Sequence, residues 1–227
     1  FGLPVANCEI AEFAGHRCLV VERFDRRETR DGRLLRIPQE DLCQALSVPS
    51  ARKYEFDGGP GNLQVMDLLR ASETPEADRA SFLSAQLLFW LLAVTAGHAK
   101  NFSIQIAPGG RFKLAPLYDI LSAQPSLDAG EITHNKAKLA MAIGDRRHDV
   151  LKQIHPRHFR QTAKASGYPV REFDRLAAVI LERAGGAIEA TTTALPRDFP
   201  QALAASIIGG LKSRLIILER YLAKPAA

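Results

Sequence analysis

Cysteine is scarce in this chain, with three residues among 227, at positions 8, 18 and 43. An odd count without metal-ligand spacing excludes a disulfide framework and a Cys-based zinc module, and predicts reduced, buried thiols at Cys8, Cys18 and Cys43. No apolar run reaches the length of a membrane span, so no membrane role is expected. The opening residues lack the basic and apolar order of a signal peptide, which makes cytoplasm the expected location. Internal repeats and low-complexity tracts are missing. Missing too is a glycine loop for a nucleotide. Gly58-Gly59-Pro60-Gly61 contains Pro and has no strand-glycine-strand context, while Gly109-Gly110, Gly185-Gly186 and Gly209-Gly210 fall in turns or helical stretches.

What remains is an ordinary globular composition, 46% hydrophobic and 24% charged, with enough chain for one large core. The net charge of +5 is a mild basic bias. It gathers in Arg146, Arg147, His148, Lys152, Arg157, His158, Arg160 and Lys164. Such a face attracts phosphate backbones in a salt-dependent way without reading sequence, and a solvated helix face accounts for it equally well. His148, His155 and His158 have no cysteine or fourth ligand beside them, so zinc is not expected.

The stretch Thr95-Ala96-Gly97-His98-Ala99-Lys100-Asn101-Phe102 carries the most information, together with Leu117-Tyr118-Asp119. In protein kinases a catalytic loop bears a base Asp and, five residues later, an Asn that holds magnesium, and a second metal-binding Asp follows. Asn101 and Asp119 fit the two metal positions. The position of the base is Ala96, whose methyl group accepts no proton. Between the two ligands, Phe102 to Ile106 and Arg111 to Leu114 alternate around the turn cluster Pro108-Gly109-Gly110, which predicts a β-hairpin that returns its ends to one place. Ahead of it, the apolar run from Ala80 to Val94 predicts a buried helix. Taken singly, Asp119 reads as a turn cap and Asn101 as a loop amide.

Elsewhere, strands are predicted at Cys8 to Phe13 and Arg17 to Phe24 around Ala14-Gly15-His16, and a loop or exposed edge at Arg26 to Arg36. Helices are predicted from Pro38 to about Leu46, from Pro60 through Leu69, and at Pro156 to Ser166, Val170 to Thr191 and Pro200 to Leu222. The polar stretch Ser122 to Asn135 reads as an activation-type loop, with mainly helical chain beyond it. The fold class expected is α+β, mainly α.

Gly97 to Ser103 and Leu114-Ala115-Pro116-Leu117-Tyr118-Asp119-Ile120 resemble the HipA family of bacterial toxin kinases. Val20 to Arg26, Pro38 to Gln44, Lys53-Tyr54-Glu55 and Asp57-Gly58-Gly59-Pro60-Gly61 agree with it. The resemblance implies a protein-kinase-like C-lobe with a short β-hairpin between catalytic loop and metal-binding Asp. It divides the chain into 1–25, a hinge-proximal β-hairpin at the end of an N-lobe, and 26–227, a helical C-lobe, with the rest of the N-lobe outside this sequence. It implies ATP and Mg2+ as cofactors, held by Asn101 and Asp119, with Glu22, Phe24, His98, Lys100 and Tyr118 against the nucleotide. It implies transfer to a serine or threonine of an aminoacyl-tRNA synthetase, the glutamyl enzyme foremost. The partners implied are a helix-turn-helix antitoxin like HipB and operator DNA, with Lys164 at a DNA-contacting position and Gly167 where a second basic residue is expected. Ala96 implies loss of catalysis, and leaves a silent binding module as the alternative.

Overall fold

The computed structural model describes residues 1–223. Ala14 and Gly15 both take positive φ, 50° and 78°, the geometry that turns a two-residue hairpin without splaying its strands. They join β1 (Cys8–Phe13) to β2 (His16–Val21), antiparallel, with Phe13 opposite His16. This hairpin stands out from the body: Ile10, Phe13, Leu19 and Val21 are exposed. The reading of three buried thiols is corrected here, because Cys8 is exposed and Cys18 half-buried, and Cys43 alone lies in the core. A second small hairpin follows in the region read as an exposed edge, β3 (Arg26–Glu28) with β4 (Leu34–Arg36).

The helix expected from Pro38 is shorter and starts later. Residues Gln39–Asp41 form strand β5, and helix α1 covers Leu42–Ala45. The reason is Asp41, which sits in extended conformation as the N-cap. Its side chain accepts from the Gln44 amide while the Gln44 side chain accepts from the Asp41 amide, a capping box that fixes the start. Helix α2 (Asn62–Leu68) runs into a 3-10 turn at Leu69–Ala71.

Helix α3 (Pro75–Leu92) is the centre of the core. Phe82, Leu83, Leu87, Trp90 and Leu91 are all but inaccessible, which matches the apolar run. Burial of this kind stabilises by about 1.5–3 kcal/mol per large side chain. Strands β6 (Ser103–Ile106) and β7 (Phe112–Leu114) form the expected hairpin and join β5 in the order β5-β6-β7. Asp78, in the first turn of α3, accepts from the Leu114 amide at 3.0 Å and so fastens the hairpin to the helix.

Two features depart from the expected activation-type loop and the mainly helical chain beyond it. Helix α4 (Gln124–Asp128) lies inside the activation-type stretch, and strands β8 (Lys138–Ile143) and β9 (His148–Val150) follow it. Lys138 to Ile143 carries helix-compatible residues, but both main-chain groups of Ala142 are claimed by distant side chains: its amide donates to Glu55 at 2.6 Å and its carbonyl accepts from Asn62 at 2.8 Å. Helices α5 (Pro156–Ala165), α6 (Val170–Ala194) and α7 (Gln201–Leu222) complete the chain as predicted. By length and composition alone α7 is long and apolar enough to cross a membrane, although Lys212 and Arg214 interrupt its apolar sequence. It packs on α3, α4, α5 and α6 through Leu211, Leu215 and Leu218. Its Arg214, pushed down to about 10 by burial, donates to the Leu91 carbonyl at the end of α3 and to Gln124 of α4.

Candidate functional site

The loop between α3 and β6 is shaped by its own small residues. Ala93 closes α3 in the left-handed conformation, φ 55°. Gly97 crosses directly over Phe89, where a Cβ would lie 2.4 Å from the ring, so only glycine fits. Phe102 anchors the far end, in the core between Phe82 and Phe89, with ring centroids at 5.0 and 5.6 Å. A 3-10 turn at Ala99–Asn101 then aims Asn101 at the end of the hairpin.

Asn101 and Asp119, eighteen residues apart, meet. The Asn101 amide donates to the Asp119 carboxylate at 2.7 Å and to the Asp119 carbonyl at 3.2 Å. Asn101 is buried and Asp119 exposed, so the pair has a fixed base and an open side. Asp119 takes φ 55°, a left-handed conformation that costs a non-glycine residue about 1–2 kcal/mol and is tolerated best by Asp and Asn. The residues between the two supply the restraint. Tyr118 donates to the Lys100 carbonyl at 3.0 Å and accepts from Ser103 at 2.6 Å, tying the residue before Asp119 to the residue before Asn101.

The other expected positions surround this pair to different degrees. Phe24 stacks on Tyr118 with centroids 5.7 Å apart. His98 is buried, with the Tyr54 ring edge-on at 4.8 Å and its Nδ1 without a partner. Burial, and then the Lys53 cation, push the His98 imidazole below its usual range, so it is neutral at pH 7. Burial pushes the Tyr118 phenol up. Lys100 is held by Asp41 at 2.7 Å, a hydrogen-bonded pair that raises the lysine further. Glu22 is exposed at the end of β2 and accepts from Asn7. Lys164 is exposed in the last turn of α5, far along the chain from the pair, and Gly167 follows with φ 67°. The basic segment is uneven: Arg146, Lys152 and Arg157 are exposed, His158 is buried, and Arg160 is engaged by Asp174 and Tyr221.

Sequence reasoning missed Asp41 and Ser103, whose partners are 59 and 15 residues away. Asp41 had a legible signal, the capping box with Gln44.

Ala96 lies at the start of this loop, and its carbonyl accepts from the His98 amide at 2.8 Å. Its methyl supplies neither a proton acceptor nor a ligand. Among the described residues no group of three or more His, Cys, Asp or Glu is arranged to hold a metal. A carboxylate and an amide on an open face suit magnesium instead, which takes one or two protein oxygens and completes its shell with water and phosphate.

A buried helix, a glycine-containing loop ending in Asn, a hairpin and an Asp in left-handed conformation define a protein-kinase-like C-lobe. The chain belongs to the HipA-like C-terminal domain family, whose model matches residues 1–190. It is 43% identical over 148 residues to Y4mE of Sinorhizobium fredii, provisionally named a kinase, a match covering 64% of this chain and 33% of that protein. It is 32% identical over 156 residues to the serine/threonine-protein kinase toxin HipA of Shewanella oneidensis, covering 63% of this chain and 34% of the relative. The chain thus spans about a third of the length of the curated relatives it matches. In fold it is similar to a chain of the Shewanella oneidensis complex of HipA, HipB and operator DNA, with a TM-score of 0.82, 24% identity, and coverage of 99% of this chain and 55% of that one. It is also similar to the Helicobacter pylori proinflammatory kinase CtkA, with a TM-score of 0.58 and 11% identity over 97% of this chain and 81% of that one.

Proposed function

We propose that the chain is the nucleotide- and metal-holding C-lobe of a HipA-like toxin kinase whose phosphoryl transfer is disabled at Ala96. The observation that carries this reading is the Asn101–Asp119 contact on an open face. These two residues would hold magnesium, which supplies neutralisation of the phosphate charge when bound. Tyr118, Ser103 and Lys100 keep the two ligands in register. His98, Lys100, Tyr118, Phe24 and the main chain at Glu22 would border ATP, with residues 1–25 as the end of an N-lobe that covers it. The acceptor would be a serine or threonine of an aminoacyl-tRNA synthetase, the glutamyl enzyme foremost, and the setting the cytoplasm. At position 96 no group takes the proton of the incoming hydroxyl, and loss of a positioned base lowers the rate by about 10² to 10⁴.

Calorimetry with a non-hydrolysable ATP analogue tests the reading in a preparation that includes an N-lobe. Binding is expected to require magnesium and to vanish in Asn101→Ala and Asp119→Ala. Metal-independent binding that survives both substitutions removes the site.

The methyl at position 96 also favours a second reading, a silent module that docks a HipB-like helix-turn-helix antitoxin and operator DNA. Exposed Lys164 would then contact the DNA backbone.

A further inference from the structure

The Lys53-Tyr54-Glu55 and Asp57–Gly61 stretches have no part in the metal pair, yet they build a second feature. A Cβ on Gly61 would lie 2.5 Å from the Glu55 carboxylate, and one on Gly59 would lie 2.0 Å from the Arg52 carbonyl. The glycines therefore let the chain wrap closely around a single acid. That carboxylate is 15% exposed, and burial pushes it above the usual carboxylate range. One oxygen accepts from the Ala142 amide, and Asn62 donates to the Ala142 carbonyl. Asn62 is itself 3% exposed, and its Oδ1 has no partner. Both side chains line a groove of about 940 Å³ between α2, β8 and α5, rimmed by Asp67 and Asp145.

The second Glu55 oxygen is taken by a guanidinium. Arg147 reaches it at 2.9 Å from the tip of the β8–β9 hairpin, with a side chain 66% exposed and φ of 54°. We propose that this groove is a docking site for an arginine side chain of the polypeptide substrate, and that Arg147 fills it in the free protein. The identity of that polypeptide as substrate rests on the kinase reading above.

The charge of the groove fits this occupant. Arg70, the other cation on its wall, is already held by the Ser166 carbonyl at 2.7 Å and by the Asp67 carboxylate at 3.6 Å, which leaves Asn62 Oδ1 and the Asp145 carboxylate as acceptors for an incoming cation. A planar guanidinium matches a carboxylate and an adjacent amide oxygen better than a lysine ammonium does. The Arg147 contact is mostly in water and held from a left-handed residue, so it contributes little net and yields to a competitor. The location also suits a substrate, since the same segment touches the Asn101 loop. The Lys53 carbonyl accepts from the Ala99 amide at 3.3 Å and the Tyr54 ring meets His98.

The test uses fluorescein-labelled serine nonapeptides in which a single arginine is walked along the sequence, each paired with its citrulline counterpart, on the full chain. Arg147→Gln is expected to tighten the best arginine peptide by about two- to fivefold, because the competing occupant is gone. Adding Glu55→Gln is expected to abolish the preference for arginine over citrulline. Equal binding of arginine and citrulline peptides by Arg147→Gln, or no binding of any peptide, overturns the proposal. That variant suffices by itself, since the replaced side chain is mostly exposed. Magnesium and nucleotide titrations of the same variants in a preparation that includes an N-lobe separate the two readings: their failure with the arginine preference intact strikes only the kinase assignment.

Discussion

At the residue scale, the kinase reading turns on the methyl group of Ala96, at the position where that reading expects a proton acceptor. Everything around position 96 is in place: Gly97 clears Phe89, His98 is neutral and buried, and Asn101 reaches Asp119. Restoring the acceptor should therefore suffice, and Ala96→Asp is expected to raise phosphate transfer from labelled ATP by about 10² to 10⁴ when an N-lobe is present. A flat result would count against the whole assignment. The meeting of Asn101 and Asp119 was legible in the sequence because the two sit in motifs of fixed spacing separated by a hairpin. The Lys100–Asp41 pair was not, because no local pattern announces a partner 59 residues away.

At the element scale, α5 begins on a histidine pair. The His155 amide donates to His158 Nδ1 at 3.2 Å, and the His158 ring stacks on His148 with centroids 3.9 Å apart. The hydrogen bond needs an unprotonated Nδ1, and burial first, then His148 and Arg157, push His158 down to about 4. The unfolded chain takes up this proton near pH 6.5, the folded chain only near 4. Between those values the unfolded state binds more protons, so stability falls as pH falls from about 6.5 to 4. Urea midpoints measured at pH 7 and pH 5 should show this drop, and His158→Asn should shrink it; equal drops would show that the histidine does not matter. Elements were legible in proportion to their self-sufficiency. The patterned helices α3, α5, α6 and α7 lie close to where their sequences place them. Strands β5 and β8 did not declare themselves, since β5 exists through pairing with β6, and β8 is secured by Glu55 and Asn62 from far upstream.

At the scale of the whole molecule, the resemblance in sequence and the fold agree on a kinase-like C-lobe, while the basic bias is distributed less evenly than composition suggests. Exposed Arg146, Lys152, Arg157 and Lys164 remain available to a phosphate backbone, whereas Arg160 is engaged within the protein. On the antitoxin and operator reading, Lys164→Ala should weaken binding of operator duplex in the presence of antitoxin. It should also lower the slope against salt by about one. Titration at two salt concentrations checks this, and an unchanged slope would remove Lys164 from the interface.

On the kinase reading, Asn101 and Asp119 converge on one divalent ion. Manganese added to isotope-labelled protein broadens nuclear resonances near its binding site, which makes the Asn101 side-chain amide a direct reporter. This signal and the Asp119 main-chain signal are expected to fade first, and Asp119→Asn is expected to abolish the effect. Persistence of both signals while resonances elsewhere disappear would contradict it.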